Sequence, residues 1–292
     1  MNCYACPVKC GIDRSISKGR CKTGGNFIIS HADLFMWEEP CVSGKKGSGA
    51  VFFGGCNLNC VYCQNYKISR TGDGRDVSIG ELAELVFGLA ERGAHNINFV
   101  TPSHFTFQLA EFLKLVKPHL NIPVIYNSSG YDDVDSLKKI EGLIDVYLPD
   151  FKYGSNEKAH IYSGVDNYVQ VACNALKEML RQQPQNVFDK ENMIQKGVLV
   201  RHLILPSNIK NSKKVLDILF NINKDMYISL MSQYFPTVAT AKFPELNRKL
   251  KKGEYDSVLN YFFALGLKKG FMQEMSSADP NFVPVFNLIL NN

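Results

Sequence analysis

From Phe53 to Cys63 the chain reads Phe-Gly-Gly-Cys-Asn-Leu-Asn-Cys-Val-Tyr-Cys, a C-x-x-x-C-x-x-C triplet directly after the apolar run Ala50-Val51-Phe52-Phe53. Thiolates on Cys56, Cys60 and Cys63 suit three irons of a cubane cluster. Such clusters ordinarily take four cysteines. A triplet that stops at three leaves one iron for a ligand from outside the protein.

The chain has 292 residues, enough for one large α/β domain with small attachments. Its net charge of +5 is too mild to indicate a nucleic-acid partner. Residues 1–30 lack the apolar core of a signal peptide, and no stretch reaches the length of a membrane span. A cytoplasmic protein with no membrane partner is expected. Eight of the nine cysteines lie in the first 63 residues. A disulfide scaffold would be short and secreted. Clustered cysteines in a reducing compartment more often bind metal.

Cys3, Cys6, Cys10 and Cys21 form a second group, with Gly11, Gly19, Gly24 and Gly25 available for tight turns. Four thiolates satisfy a tetrahedral zinc site or a second four-iron cluster, and spacing does not separate the two. Cys41 and Cys173 stand alone and read as small buried hydrophobes, with Cys41 a spare ligand. The stretch His31–Pro40 reads as a packed connector anchored by Trp37. The alternative, Glu38 and Glu39 at the cluster mouth, is the less favoured reading. Gly44–Gly49 reads as a flexible lead into the first strand, lacking the ending of a P-loop.

From Ala50 onward strands and helices alternate. Strand-length apolar runs occur at Val51–Phe53, Ile97–Val100, Val124–Tyr126, Ile144–Leu148, Val198–Leu205 and Met226–Met231. Between them apolar residues recur at helical spacing, one series opening on the capping box Ser78-Ile-Gly-Glu81. Near-continuous apolar strands separated by amphipathic helices predict a parallel sheet covered by helices. The count is six βα units, short of a closed eightfold barrel. A helix is expected within Asn167–Met193, a loop at Pro184–Lys190 and a long helix around Leu246–Leu265. Lys249–Lys252 reads as a solvated helix face. The tail with Pro280, Pro284 and Asn291-Asn292 carries no clear pattern.

Ligands of parallel α/β barrels bind where the carboxyl ends of the strands converge. Polar groups fall there repeatedly: Thr101 to His104, Asn127 to Tyr131, Asp150-Phe151-Lys152, Arg201-His202 and Gln233-Tyr234. Arg201 lies in an otherwise apolar strand and needs a partner or ligand. His202 points to the opposite face and reads as a core histidine. His104 is the better site candidate of the histidines flanking the second strand. Tyr62, Tyr126 and Tyr131 read as packing residues.

The cysteine triplet, its glycines, Tyr62 and Gln64-Asn65 resemble the radical SAM superfamily, and within it the glycyl-radical-enzyme activases such as pyruvate formate-lyase activating enzyme. Arg14, Gly44–Gly49, Asn96–His104, Tyr147–Tyr153, Arg201–Pro206 and Met231–Pro236 resemble an uncharacterised branch of that group. The resemblance implies a (β/α)6 partial TIM barrel over 50–235, a small Cys-rich metal-binding extension over 1–49 and a helical region closing the barrel over 236–292. It implies a [4Fe-4S] cluster on Cys56, Cys60 and Cys63, and S-adenosylmethionine chelating the open iron. The Asp150-Phe151-Lys152 run matches a D-x-K signature of the activases. Asp150 then suits the cofactor amine, Lys152 and Arg201 its carboxylate, and Asn127 and Gln233 its ribose or an outer shell.

The implied activity is hydrogen abstraction by a 5′-deoxyadenosyl radical from a protein or peptide, with a reductant such as flavodoxin or ferredoxin. Alternatives are modification of a small molecule or peptide, a non-catalytic iron–sulfur electron carrier, and a zinc-binding module. Two departures stand out. Thr101-Pro102-Ser103-His104 replaces the activases' glycine-glycine-glutamate stretch, and Asn127-Ser128 replaces an aspartate-threonine pair linked to a monovalent cation.

Overall fold

The computed structural model describes residues 2–278 together with Val283, Pro284 and Phe286. Pro280 and Asn291-Asn292 lie outside them. The strands are β1 (Phe27–Phe35), β2 (Ser48–Phe53), β3 (Arg75–Val77), β4 (Ile97–Val100) and β5 (Val124–Ser128), then β6 (Val146–Pro149), β7 (Val187–Phe188), β8 (Ile194–Leu203), β9 (Tyr227–Met231) and β10 (Gly270–Met272). They form one sheet in the order β10-β9-β8-β6-β5-β4-β2-β1-β3, with β7 pairing β8 on the side. From β2 to β10 along that path every pairing is parallel. The six expected strands are β2, β4, β5, β6, β8 and β9. This is the α/β partial barrel that the sequence pattern predicts.

Register explains what faces what. Val51, Phe99, Tyr126, Tyr147 and Val198 lie side by side across five strands. All are buried in the main core, which also takes Leu82, Val86, Leu109, Phe112, Leu176 and Leu219 from the covering helices. Side chains alternate along a strand. The neighbours of that row therefore point to the concave face. There Ile125, Val146, Leu148 and Leu199 form a smaller apolar cluster with Cys41 and Val42, while Asn98, Asn127 and Arg201 are its polar members by the same parity.

The helices follow local signals. Ser78 caps Ile79–Glu91 in a complete capping box, its side chain accepting from the Glu81 N–H while Glu81 reaches back. The helix expected after Asn167 is Tyr168–Gln182. No helix among the described residues is long and apolar enough to cross a membrane.

Four expectations need correction. A strand was not expected before Ala50, yet β1 pairs antiparallel with β2 and β3. Its alternation is irregular, and its residues beyond Ser30 are half-exposed, which leaves a weak period-two signal. The stretch Pro184–Lys190 contains β7. The late helix is Lys252–Ala264, so Leu246 precedes it, and Lys249 donates to the Ala278 carbonyl instead of lying on a helix face. Gly44–Gly49 is also no loose lead. Gly44 ends the short helix Pro40–Ser43, and Ser48 and Gly49 already belong to β2.

Candidate active site

The loop after β2 sets the cysteines in place. Gly55 has φ of 80°, a conformation that favours glycine, and a Cβ there would strike the Cys21 carbonyl and the Thr23 side chain. His104, buried at the end of β4, donates from Nε2 to the Gly54 carbonyl at 2.9 Å. Burial depresses its pKa to about 3, so the ring is neutral. His104 thus holds the cysteine loop and stays out of the cavity, a correction to its reading as a site candidate.

Cys56, Cys60 and Cys63 line one open cavity with Asp150, Lys152, Arg201, Asn127 and Gln233. Each sulfur meets a polar hydrogen-bonding group. Leu58 N–H donates to Cys56 Sγ at 3.4 Å, Ser163 Oγ to Cys60 Sγ at 2.9 Å, and Ser69 Oγ lies 3.3 Å from Cys63 Sγ. Ser163 is the near end of a chain: Tyr62 donates to the Tyr153 hydroxyl at 2.7 Å, and Tyr153 contacts Ser163 Oγ. Tyr62 therefore does more than pack. Burial pushes the Cys56 and Cys63 thiols up, with the neighbouring Cys60 adding to the effect. Thiols in that state ionise on binding a metal, which deprotonates a coordinating sulfur outright.

Among the described residues no three His, Cys, Asp or Glu side chains close around a single metal ion. A cubane takes one thiolate per iron, so its ligands need not converge on a point. Three half-buried cysteines, each with its sulfur beside a hydrogen-bonding group and lining a cavity that also holds cations, fit an iron–sulfur cluster.

Asp150, at the end of β6, accepts from Lys152 Nζ at 2.6 Å and Arg201 Nε at 2.9 Å. Burial alone would raise its carboxyl, but the two cations outweigh that and hold it below the usual carboxylate range. Burial likewise works against the charge on Lys152, and Asp150 with Cys60 and Cys63 reverses the effect. The ion pair and the cavity lining are thus the same residues. Gly130, at φ of 73°, lets the loop after β5 pass so close to the Asp150 carbonyl that a Cβ would collide with it.

Arg201 reaches three acceptors: Asp150, Asn127 Oδ1 at 2.6 Å and Glu38 Oε2 at 2.8 Å. Asn127 also donates to Glu38 Oε1, so its amide is engaged on both sides. Gln233 accepts from Gln64 on its carbonyl and from Gln273 on its side chain. His202 donates from Nδ1 to the Phe151 carbonyl at 2.7 Å and is buried on the helix side, as its parity predicts.

The connector reading of His31–Pro40 fails at its end. Glu38 and Glu39 are buried and line the cavity, and Trp37 is an exposed residue at its edge, not a buried anchor. The cause is Cys41 and Val42, which plug the concave face and carry the two glutamates inside. Burial raises the Glu38 carboxyl, with Glu39 adding to the effect and Arg201 opposing it. Cys41, the spare ligand, is buried among Ile125, Val146 and Leu148, and burial takes its pKa to about 12. Thr101 is one of the polar groups expected at the strand ends. It lines the cavity at the end of β4 with φ of 62°, uncommon for a β-branched residue.

The N-terminal cysteines gather on the far side of Gly55. Cys10 and Cys21 sulfurs flank Gly19, 3.3 and 3.5 Å from where its Cβ would stand. The charges felt by Cys6 are those of Cys21, Cys3 and Cys10, and burial takes its pKa to about 12. Arg14 binds this segment to the barrel, donating to the His104 carbonyl and, at 2.8 Å, to Thr23 Oγ1.

The comparisons with known proteins agree with this geometry. An uncharacterised protein of Methanocaldococcus jannaschii, MJ0674, is 28% identical over 266 residues, covering 88% of this chain and 73% of that protein. Methylornithine synthase (PylB) superposes with a TM-score of 0.51 at 16% identity, over 73% of this chain and 62% of that one. SuiB of Streptococcus suis, bound to its precursor peptide SuiA, superposes with a TM-score of 0.54 at 9% identity, over 79% of this chain and 49% of that one. Those two likenesses speak to the fold alone. Residues 50–188 match the model of the radical SAM superfamily. That stretch, which builds the cysteine loop, β4 to β6 and the Asp150–Lys152 rim, is what this chain shares with the radical SAM superfamily.

Proposed function

We propose that this radical SAM enzyme reductively cleaves S-adenosylmethionine at a [4Fe-4S] cluster on Cys56, Cys60 and Cys63 and abstracts hydrogen from a protein or peptide, in the manner of the activases. The observation that carries the reading is one cavity lined by three cysteines and the Asp150–Lys152–Arg201 ion network. A cluster held by these three cysteines and reduced by a flavodoxin or ferredoxin would supply the one-electron cleavage of the cofactor.

The protein's part is binding and placement. The amine and carboxylate of the cofactor match the mixed charges of Asp150, Lys152 and Arg201. Leu58 N–H and Ser163 Oγ orient two of the sulfurs. The test is anaerobic reconstitution followed by reduction, with 5′-deoxyadenosine and methionine as products. Cys60→Ala should abolish both. Normal cleavage by that variant sinks the cluster assignment.

A second metal is part of the proposal, held by Cys3, Cys6, Cys10 and Cys21 as zinc or a second four-iron cluster. The flanking of Gly19 by the Cys10 and Cys21 sulfurs and the charge that Cys6 feels from Cys21, Cys3 and Cys10 support it. Iron and zinc analysis of protein lacking Cys56, Cys60 and Cys63 distinguishes the two metals.

A further inference from the structure

Glu39 is buried, and its Oε2 has no hydrogen-bond partner. Asn98, fully buried on the same concave face, likewise leaves Oδ1 without a donor while its Nδ2 donates to Glu38 at 3.1 Å. An unsatisfied buried acceptor costs about 1–3 kcal/mol, and more for a charged one. Native proteins rarely leave such groups idle, and each one calls for an explanation.

The neighbours do not supply one. Arg201 is committed to Asp150, Asn127 and Glu38, and Lys152 to Asp150. Three carboxylates, Glu38, Glu39 and Asp150, line the cavity with two cations, Lys152 and Arg201. Glu39 enters on the connector before β2, whereas Asp150 and Lys152 come from the β6 rim.

We propose that Glu39, buried in the cavity wall with an unpartnered oxygen, receives a cationic nitrogen of the substrate, an alkylammonium or guanidinium group. This rests on the radical reading above and adds the substrate's chemistry: the reacting carbon would sit on a chain that ends in a basic nitrogen.

The test uses anaerobically reconstituted wild-type enzyme with S-adenosylmethionine present. Calorimetric titration compares n-butylammonium and n-butylguanidinium with n-butanol, and a blocked Gly-Lys-Gly peptide separates a peptide-borne ammonium from a free amine. At least one cationic probe should bind saturably, with n-butanol at least tenfold weaker. Glu39→Gln, nearly identical in shape, should weaken the cationic probe at least tenfold. Equal affinity for n-butanol, no saturable binding, or an unaffected Glu39→Gln variant overturns the inference. Binding abolished by S-adenosylmethionine also overturns it, because Glu39 would then serve the cofactor. If Glu39→Gln does not fold, the ammonium–alcohol comparison in the wild type decides. Cleavage of S-adenosylmethionine in the same preparation tests the radical reading separately.

Discussion

Arg201 and Glu38, 163 positions apart in sequence, meet at 2.8 Å between Nη1 and Oε2 inside the barrel. Both side chains are about nine-tenths buried. The pair joins the segment before β2 to β8, and through Asp150 it reaches the rim that faces the cysteines. Breaking one partner of a buried pair costs about 3–5 kcal/mol, because the other is left as an uncompensated charge. Arg201→Leu should lose stability of that order in urea unfolding. Arg201→Lys should retain more of it but bind S-adenosylmethionine at least tenfold more weakly, since a single ammonium cannot span Asp150, Asn127 and Glu38 together. Unchanged cofactor affinity in Arg201→Lys removes this network from the site.

At Gly55 the prediction concerns backbone. A Cβ at φ of 80° is strained and also meets the Cys21 carbonyl. Gly55→Ala should destabilise the protein by roughly 1–3 kcal/mol and lower iron incorporation, because the loop carrying Cys56 must shift. Full iron content with wild-type stability would show that the two segments do not depend on each other's position.

Replacing Cys3 and Cys6 together by serine should lower total metal while S-adenosylmethionine cleavage largely persists. Cys10 and Cys21 flank Gly19, Cys6 feels the charge of the other three, and none of the four lines the cavity. Loss of cleavage without loss of metal contradicts the division into two sites.

Acid should loosen the barrel through its buried histidines. Burial depresses His104 to about 3 and His202 to about 4, both below the ordinary value of 6.5. In each case the folded state favours the neutral ring. Their contribution is complete above pH ~6.5 and is lost as pH falls toward about 4, by up to about 1.4 kcal/mol per pH unit for each histidine. Denaturation midpoints between these limits should fall accordingly, and His202→Gln should flatten the slope. An identical slope in that variant assigns the acid sensitivity elsewhere.

Much of the barrel was legible because its signals are local. Strand runs such as Ile97–Val100 keep their bounds in the structure, and the Ser78–Glu81 box caps its helix. The rim residues Asp150, Lys152, Asn127, Arg201 and Gln233 do share one cavity with the cysteine triplet. The misses are long-range. Nothing near Glu38 in sequence announces that Cys41 and Val42 will plug a concave face built from β5, β6 and β8. His104 looked like a site residue because it stands at a strand end, and only its bond to Gly54 reveals a different task. The alternation of β1 is blurred by exposure on both faces, so composition alone could not mark it.

Ser163 places a hydroxyl 2.9 Å from Cys60 Sγ, backed by the phenols of Tyr153 and Tyr62. A donor aimed at a ligating sulfur withdraws electron density from the iron it serves, and such bonds are among the levers on midpoint potential. This relay would therefore ease the entry of an electron. Removing it with Ser163→Ala would drive the midpoint more negative, as anaerobic potentiometry would record, and demand a stronger donor. How readily this protein fires would thus be governed partly by two tyrosines that need never touch what it acts upon.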